Sequence, residues 1–167
     1  MATEPTFDVT ITKLRAAGLR PTRPRVGLGR LLFEGPPRHV SAEQLYQEAR
    51  SRRLFVSLAT VYNTLHQFVA AGLLRRVVVH TGQAFFDTKV DDHHHFYDER
   101  TGFVRDIDER EIAFAKLPAP PPGYAITGVE VIVRVEAQPA VDGKRAELPS
   151  VEGGAAEPAP VSPAPRS

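Results

Sequence analysis

Apolar residues in the first 72 positions recur every three or four residues, which is the spacing of amphipathic helices. Polar residues that favour helix starts precede these runs, and glycines follow them. Thr22 can cap one helix, and Ser41 with Gln44 has the spacing of a capping box. The predicted helices run from about Asp8 to Ala17, from Thr22 to Gly35, from Ser41 to Arg53 and from Ser57 to about Ala71.

The fourth predicted helix has two faces of different chemistry. One stripe is apolar and would pack on the core, whereas the other is polar but uncharged. Uncharged hydrogen-bonding side chains suit the reading of base edges in a major groove, although an ordinary amphipathic helix has a similar pattern. The polar stripe consists of Ser57, Thr60, Asn63, Thr64 and Gln67.

The spacing changes to that of strands after Gly72. Leu73–Val79 and Ala84–Asp87 predict a hairpin around a turn at His80–Gln83. Helices followed by a hairpin are the order of a winged helix, a variant of the helix-turn-helix fold. The first part of the chain is therefore predicted to bind DNA, with the hairpin as its wing.

Three further strands and a short helix are predicted in the second half. A four-residue turn joins His95–Asp98 to Phe103–Ile107, and valines alternate along Tyr124–Glu136. Three strands and one short helix are too few to hide a sheet face, which predicts a homodimer. The short helix would be capped by Asp108 and would hold Ile112, Phe114 and Leu117.

These elements predict an α+β fold with two domains and a tail. Residues 1–87 form the predicted winged-helix domain, and residues 91–136 form a small α/β dimerisation domain. Residues 137–167 are rich in Pro, Ala, Gly, Glu and Ser and lack an apolar period. That composition predicts a disordered C-terminal tail.

Charge divides the chain near the same boundary. Residues 1–80 hold 12 Lys and Arg against 5 Asp and Glu, whereas residues 81–167 hold 9 against 15. A basic half suits a polyanion, and an acidic half with histidines suits cations. The chain has no cysteine, which excludes disulfides and thiolate metal sites. It shows no apolar run long enough for a membrane span and no signal peptide, so a cytoplasmic protein is expected.

Residues 91–95 are two aspartates followed by three histidines, half of the six histidines in the chain. Alternation along a strand puts His93 and His95 on one face and His94 on the other. The four-residue turn sets Asp106 opposite His95, at a distance that allows both side chains to share a metal.

Asp87, at the end of the predicted wing, is placed to close this site. Imidazoles and carboxylates without sulfur suit Fe(II), Mn(II), Zn(II) or Co(II). The alternative is that consecutive histidines decorate a surface hairpin. Three histidines flanked by carboxylates favour metal binding more than a lone histidine would.

Four segments are informative together: LRAAGLRPTRPRVGLGRLLF (14–33), HVSAEQLYQEA (39–49), SLATVYNTLHQFVAAGLL (57–74) and HHHFYDERTGFVRDID (93–108). Their order and spacing resemble the ferric uptake regulator family over roughly residues 10–136. Within that family, the three-histidine run and the lack of Cys-x-x-Cys pairs resemble the iron response regulator branch.

The resemblance implies a winged-helix domain that binds double-stranded DNA and a C-terminal domain that dimerises. It implies that the helix starting at Ser57 recognises DNA, with Tyr62 and Asn63 at positions that touch it. It also implies a divalent metal such as Fe, Mn or Zn between the domains. The implied metal ligands are His39, Asp87, His93, His95 and Asp106. The branch also implies a haem response, for which the candidate residues are His93, His94 and His95.

The combined hypothesis is a metal- or haem-responsive transcription regulator of iron homeostasis, not an enzyme. As a homodimer, it would bind A·T-rich inverted repeats, and metal would set the angle between its two winged helices. One alternative is a small dimeric metalloenzyme with His and Asp ligands. Another is a winged-helix regulator whose metal is only structural. The predicted DNA contacts are Arg20, Arg23, Arg25, Ser57, Thr60, Tyr62 and Asn63.

Overall fold

Four helices occupy the first half of the chain, as the apolar spacing predicts. The computed structural model describes residues 8–80 and 83–136. The helix ends lie a residue or two inside the predicted limits. The helices are α1 (Val9–Ala16), α2 (Arg23–Phe33), α3 (Ala42–Ser51) and α4 (Leu58–Ala70).

Side-chain caps begin three of these helices. The predicted capping box is confirmed: the Ser41 hydroxyl accepts from the Gln44 N–H, and the Gln44 side chain accepts from the Ser41 N–H. The side chains of Asp8 and Ser57 each accept one hydrogen bond from a backbone N–H in the first turn of α1 and α4. The prediction for Thr22 was wrong in part, because it occupies the N-cap position without a side-chain hydrogen bond. The proline in the first turn of α2 favours the helix start instead.

The helices enclose an apolar core. Thr64, predicted on the polar stripe of α4, is instead buried with only 4% of its surface exposed. It lies one turn from both Val61 and Phe68, so it falls inside the packed face. The polar stripe is therefore narrower than predicted. Fully buried members of the core include Leu14, Leu28, Leu45, Leu65 and Phe68.

The first sheet joins the predicted hairpin to a strand that the sequence pattern did not predict. Its strands are β1 (His39–Val40), β2 (Arg75–His80) and β3 (Gln83–Asp87), in the order β1-β3-β2. Strand β1 has two residues, which is too short to show a period of two. Antiparallel pairing sets His39 and Arg75 on either side of Asp87. These three side chains therefore form one row across the sheet.

The second sheet contains β4 (His94–Asp98), β5 (Phe103–Ile107) and β6 (Ile132–Arg134), in the order β5-β4-β6. The β4–β5 register pairs His95 with Asp106, as the turn length predicts. Strand β6 runs parallel to β4 and is much shorter than the predicted Tyr124–Glu136. Ile132 pairs with His95 near the start of β4, so in the part of the chain that the structure describes, residues before Val131 have no strand beside them.

The short helix predicted after Asp108 is reduced to one 3-10 turn, Glu109–Glu111. Asp108 does cap it, with Glu111 completing a capping box. The chain is already extended at Ile112, and prolines follow. The prediction that this helix holds Phe114 and Leu117 was therefore wrong, and both side chains are exposed.

The hairpin packs against the second sheet. Val77 and Phe85 from the hairpin share one buried apolar cluster with Tyr97, and the Phe85 and Tyr97 ring centroids are 6.3 Å apart. This contact covers part of one face of the second sheet. The described residues up to Glu136 form one compact unit. The predicted domain boundary between residues 87 and 91 stays a prediction, and the predicted tail at 137–167 lies outside the described residues.

Candidate metal centre and DNA surface

Five side chains from both sheets meet in one cluster. Each contributes one nitrogen or carboxylate oxygen, and these five atoms all lie within 4.8 Å of one another. Nε2 of each histidine and one oxygen of each aspartate point into the centre. The cluster residues are His39, Asp87, His93, His95 and Asp106, the same set that the family resemblance implies.

Strand register explains why the five meet. His39 and Asp87 are paired across the first sheet, and His95 and Asp106 are paired across the second. His93 immediately precedes β4, and its ring centroid lies 4.5 Å from that of His95, so both imidazoles reach the same centre. Packing of the hairpin on the second sheet then brings the two pairs face to face. The cluster forms at one end of the same contact that buries Phe85 and Tyr97.

The cluster has the size of a metal site. Zinc–nitrogen and zinc–oxygen bonds are about 2.0–2.2 Å, so opposed ligand atoms lie about 4.2 Å apart. The observed limit of 4.8 Å therefore requires only a small contraction around an ion. The shortest approaches are 2.9 Å from His93 Nε2 to Asp87 Oδ2 and 3.0 Å from His39 Nε2 to Asp106 Oδ1.

The polar atoms of this centre lack hydrogen bonds within the described residues. Buried polar groups in proteins are normally hydrogen-bonded, so a concentration of unbonded buried atoms points to a missing partner. A divalent cation coordinates both imidazole nitrogen and carboxylate oxygen, and it therefore fits this donor set. The unbonded atoms at the centre are His39 Nε2, Asp87 Oδ2, His93 Nε2, His95 Nε2 and Asp106 Oδ1.

The environment of Asp87 favours the deprotonated form of its carboxyl. Its side chain is 1% exposed, and burial by itself would raise the pKa of its carboxyl. The imidazoles of His39 and His95 oppose burial and hold that pKa well below its usual value. The Lys89 N–H donates to Oδ1 at 2.8 Å, which leaves Oδ2 directed at the centre. Metal ligation requires such a deprotonated carboxylate.

Groups around the centre include three that the sequence pattern did not identify. Lys89 Nζ lies 3.6 Å from Asp106 Oδ2. Glu130 Oε1 lies 3.3 Å from Nδ1 of His95 and 3.5 Å from a guanidinium nitrogen of Arg75. None has a local signal, since the contacts of Lys89 with Asp106, of Glu130 with His95 and of Arg75 with Glu130 join residues far apart in sequence.

A model of the ferric uptake regulator family matches residues 16–131. The chain belongs to the ferric uptake regulator family. It is 40% identical over 102 residues to the ferric uptake regulation protein of Pseudomonas fluorescens, which covers 60% of this chain and 83% of that protein. Members of the family are metal-responsive transcription regulators and not enzymes, which removes the metalloenzyme alternative.

Two solved structures of ferric uptake regulators are similar. The regulator from Pseudomonas aeruginosa with manganese is 31% identical, with a TM-score of 0.58 over 76% of this chain and 96% of that chain. The regulator from Vibrio cholerae is 26% identical, with a TM-score of 0.61 over 75% of this chain and 98% of that chain. Both likenesses agree with the mixed helix and sheet content of this family member.

The predicted DNA contacts of this family member lie on or next to α4 and at the start of α2. Asn63 and Tyr62 are exposed, whereas Thr60 is half-buried, and Ser57 is occupied in capping the helix. Tyr62 donates its hydroxyl proton to Glu43 of α3. That bond lowers the pKa of the Glu43 carboxyl and raises the pKa of the Tyr62 phenol.

The three arginines predicted to contact DNA differ in their environment. Arg20 and Arg23 are exposed. Arg25 is half-buried and donates to the side-chain oxygen of Gln67 on α4 and to the backbone oxygen of Arg20. Arg25 therefore links the backbone at Arg20 to α4, the helix that carries Asn63.

The candidate haem residues are all buried. His93 and His95 direct Nε2 into the centre, as described. His94 lies on the opposite face of β4, where Nδ1 accepts from the Val131 N–H at 3.3 Å and the ring packs against Phe114. Haem contact with these imidazoles therefore requires the surrounding segments to open.

Proposed function

We propose that this chain is a DNA-binding transcription regulator whose affinity for DNA is set by a divalent metal in the five-residue centre. One observation carries the proposal: the centre joins the sheet of the hairpin to the second sheet. His39 and Asp87 come from the first, His95 and Asp106 come from the second, and His93 immediately precedes β4. A change at the centre therefore acts directly on the angle and contact between them.

The metal ligands in this proposal are the five side chains of the centre. When bound, a divalent cation supplies positive charge and directed bonds to ligands from both sheets. His39 and Asp87 hold the hairpin side, and Asp106 with His93 and His95 holds the other side. Without this charge, the buried carboxylate of Asp87 and the partly exposed carboxylate of Asp106 face each other across the contact, which favours separation. Manganese in the similar Pseudomonas aeruginosa regulator supports a first-row divalent ion.

The DNA-binding surface in this proposal is that of a winged helix, with α4 as its recognition helix. Exposed Tyr62 and Asn63 meet base edges or the sugar-phosphate backbone, with Thr60 and Ser57 at the start of the helix. Arg20, Arg23 and Arg25 contact phosphate. The Glu43 carboxylate holds the Tyr62 hydroxyl, so this phenol must exchange partners to donate to DNA.

A homodimer on an inverted repeat completes the proposal, because two-fold protein symmetry matches paired half-sites. Membership of the iron response regulator branch, the haem response and the cytoplasmic location remain predictions from sequence. Haem reaching the buried histidine run would disrupt the centre and lower DNA affinity. No described helix has the length and apolar character needed to cross a bilayer.

The test measures affinity for an A·T-rich inverted repeat at one fixed salt concentration, by anisotropy of a labelled duplex. Metal-stripped, Mn(II)-loaded and haem-treated protein are compared, with a scrambled duplex as the control. Metal is expected to tighten binding at least about tenfold, or roughly 1.4 kcal/mol. The double variant His93→Ala/His95→Ala should bind DNA without this response.

Two results would contradict the proposal. If metal raises the thermal unfolding midpoint but leaves DNA affinity unchanged, the metal is structural only. If the double variant responds to metal as the wild type does, the sensor lies elsewhere. An unchanged affinity after haem treatment would remove only the haem response.

A further inference from the structure

The second ring nitrogen of His95 faces a carboxylate that lies outside the metal centre. Glu130 Oε1 is 3.3 Å from His95 Nδ1. The His95 side chain is 0% exposed, whereas the Glu130 side chain is 29% exposed. Nδ1 makes no hydrogen bond among residues 8–80 and 83–136, so the nearby carboxylate is the acceptor at hand.

The tautomer of His95 decides whether it can hold a metal. A neutral imidazole carries its proton on one nitrogen and a lone pair on the other. In this centre Nε2 faces Asp87 and Asp106, so ligation requires the lone pair there and the proton on Nδ1. A buried Nδ1–H needs an acceptor, and a carboxylate beside it also makes the imidazole a stronger donor to metal.

Arg75 holds this acceptor in place. Its guanidinium lies 3.5 Å from Glu130 Oε1, the same oxygen that faces His95. It also donates at 3.1 Å to the backbone oxygen of Asp91, which lies 2.8 Å from Nδ1 of His93. One cation therefore contacts the acceptors that face the outer nitrogens of two histidines of the centre.

The strand register explains the position of Arg75. It is paired with Asp87 across β2 and β3, and it therefore lies beside the metal centre on the hairpin side. Glu130 precedes β6, which adds to the second sheet next to β4. The Arg75–Glu130 contact thus links the hairpin to the segment just before β6. It lies outside the five candidate metal ligands.

We propose that Glu130, held by Arg75, is a positioning residue that fixes His95 with Nε2 directed at the metal. This inference rests on the proposed metal centre. It adds to that proposal the residue beside a ligand, Glu130, which tunes the affinity for metal. A competing explanation is a plain salt bridge that joins the sheets. It predicts a change in stability without a change in the imidazole.

The test titrates the full-length protein with Zn(II), a diamagnetic probe, by calorimetry with a competing chelator. The variants are Glu130→Leu, which removes the acceptor, and Glu130→Gln, which keeps a neutral oxygen. Glu136→Gln is the matched control, since this exposed glutamate lies near the same strand. We expect zinc affinity to fall about 10–100-fold in Glu130→Leu and less in Glu130→Gln.

Imidazole nitrogen NMR of the zinc-loaded proteins provides the second readout. Wild type and Glu136→Gln should show His95 protonated at Nδ1, with that proton protected from exchange. Glu130→Leu should lose the protection. Arg75→Gln should weaken zinc binding and alter the signals of both His93 and His95, because it contacts both acceptors.

The inference is overturned if Glu130→Leu and Glu130→Gln bind zinc within twofold of wild type, or if the His95 signals do not change. A lower unfolding midpoint with unchanged zinc affinity would show a plain salt bridge. If wild type binds neither Zn(II) nor Mn(II) at the centre, the proposed function fails, and this inference fails with it. If wild type binds zinc and the Glu130 variants bind it equally well, only this inference is contradicted.

Discussion

Replacement of His39 by alanine is a direct test of the centre. His39 is the one candidate ligand that β1 contributes, and β1 has only two residues. His39 Nε2 lies 3.4 Å from Asp87 and 3.0 Å from Asp106, so its imidazole faces both carboxylates. If the five side chains share a metal, His39→Ala removes one ligand and the link from β1. If they form only a hydrogen-bonding cluster, metal should affect wild type and variant alike.

The magnitude follows from mass action. A ligand present at 100 times its Kd stabilises the folded state by about 2.7 kcal/mol. For a chain of this size, each kcal/mol raises the midpoint by about 2–4 °C, so wild type should gain roughly 5–11 °C. Loss of an outer partner of a ligand weakens metal binding by about 10–100-fold, and loss of a ligand should reach at least the upper value. At the same metal concentration, the variant should then retain about 0.4 kcal/mol, or one to two degrees.

The assay is thermal unfolding of each protein with and without Mn(II), and the quantity compared is the metal-induced rise. Each protein is referred to its own metal-free form, because removing an imidazole beside two carboxylates also changes the metal-free stability. His66→Ala is the control, since His66 is exposed on α4 and lies outside the cluster. An equal rise in His39→Ala, His66→Ala and wild type would refute the assignment of His39 to the centre.

Three further predictions concern the DNA surface and the fold. Arg23→Ala should reduce the dependence of log affinity for DNA on log salt by about 0.9, and an unchanged slope would remove Arg23 from the phosphate contacts. Ser41→Ala breaks the capping box and should lower the free energy of unfolding by about 1 kcal/mol in urea titrations, whereas no loss would mean that the cap is dispensable. Gly29→Ala should destabilise the protein by about 1–3 kcal/mol despite the higher helix propensity of alanine, because its Cβ would lie 2.7 Å from the Thr10 side chain. The matched Gly27→Ala meets only the flexible end of a leucine side chain and should cost less, so an equal loss would contradict the packing argument.

Parts of the fold that depend on neighbours in sequence were predicted well. The bonds of the capping box between Ser41 and Gln44 span three residues, and turn length alone sets the register of His95 opposite Asp106. Elements that depend on distant partners were predicted poorly. The alternating valines indicate a long last strand, but only Ile132–Arg134 lies beside β4. Thr64 has a polar side chain but lies on the buried face of α4, so its polarity was misleading.

The sequence by itself determined the helices, the hairpin and the face of β4 on which His93 and His95 lie, because period and turn length are local properties of the chain. The resemblance to a family supplied His39, which has no local signal. Only the tertiary structure decided that His39 is paired with Asp87, and that the hairpin packs on the second sheet. Those contacts join residues far apart in sequence, and their stability comes from buried surface that no local pattern records. The tertiary structure also brings Glu130 to Nδ1 of His95 and Arg75 to Glu130, and it therefore decides the chemistry of the centre.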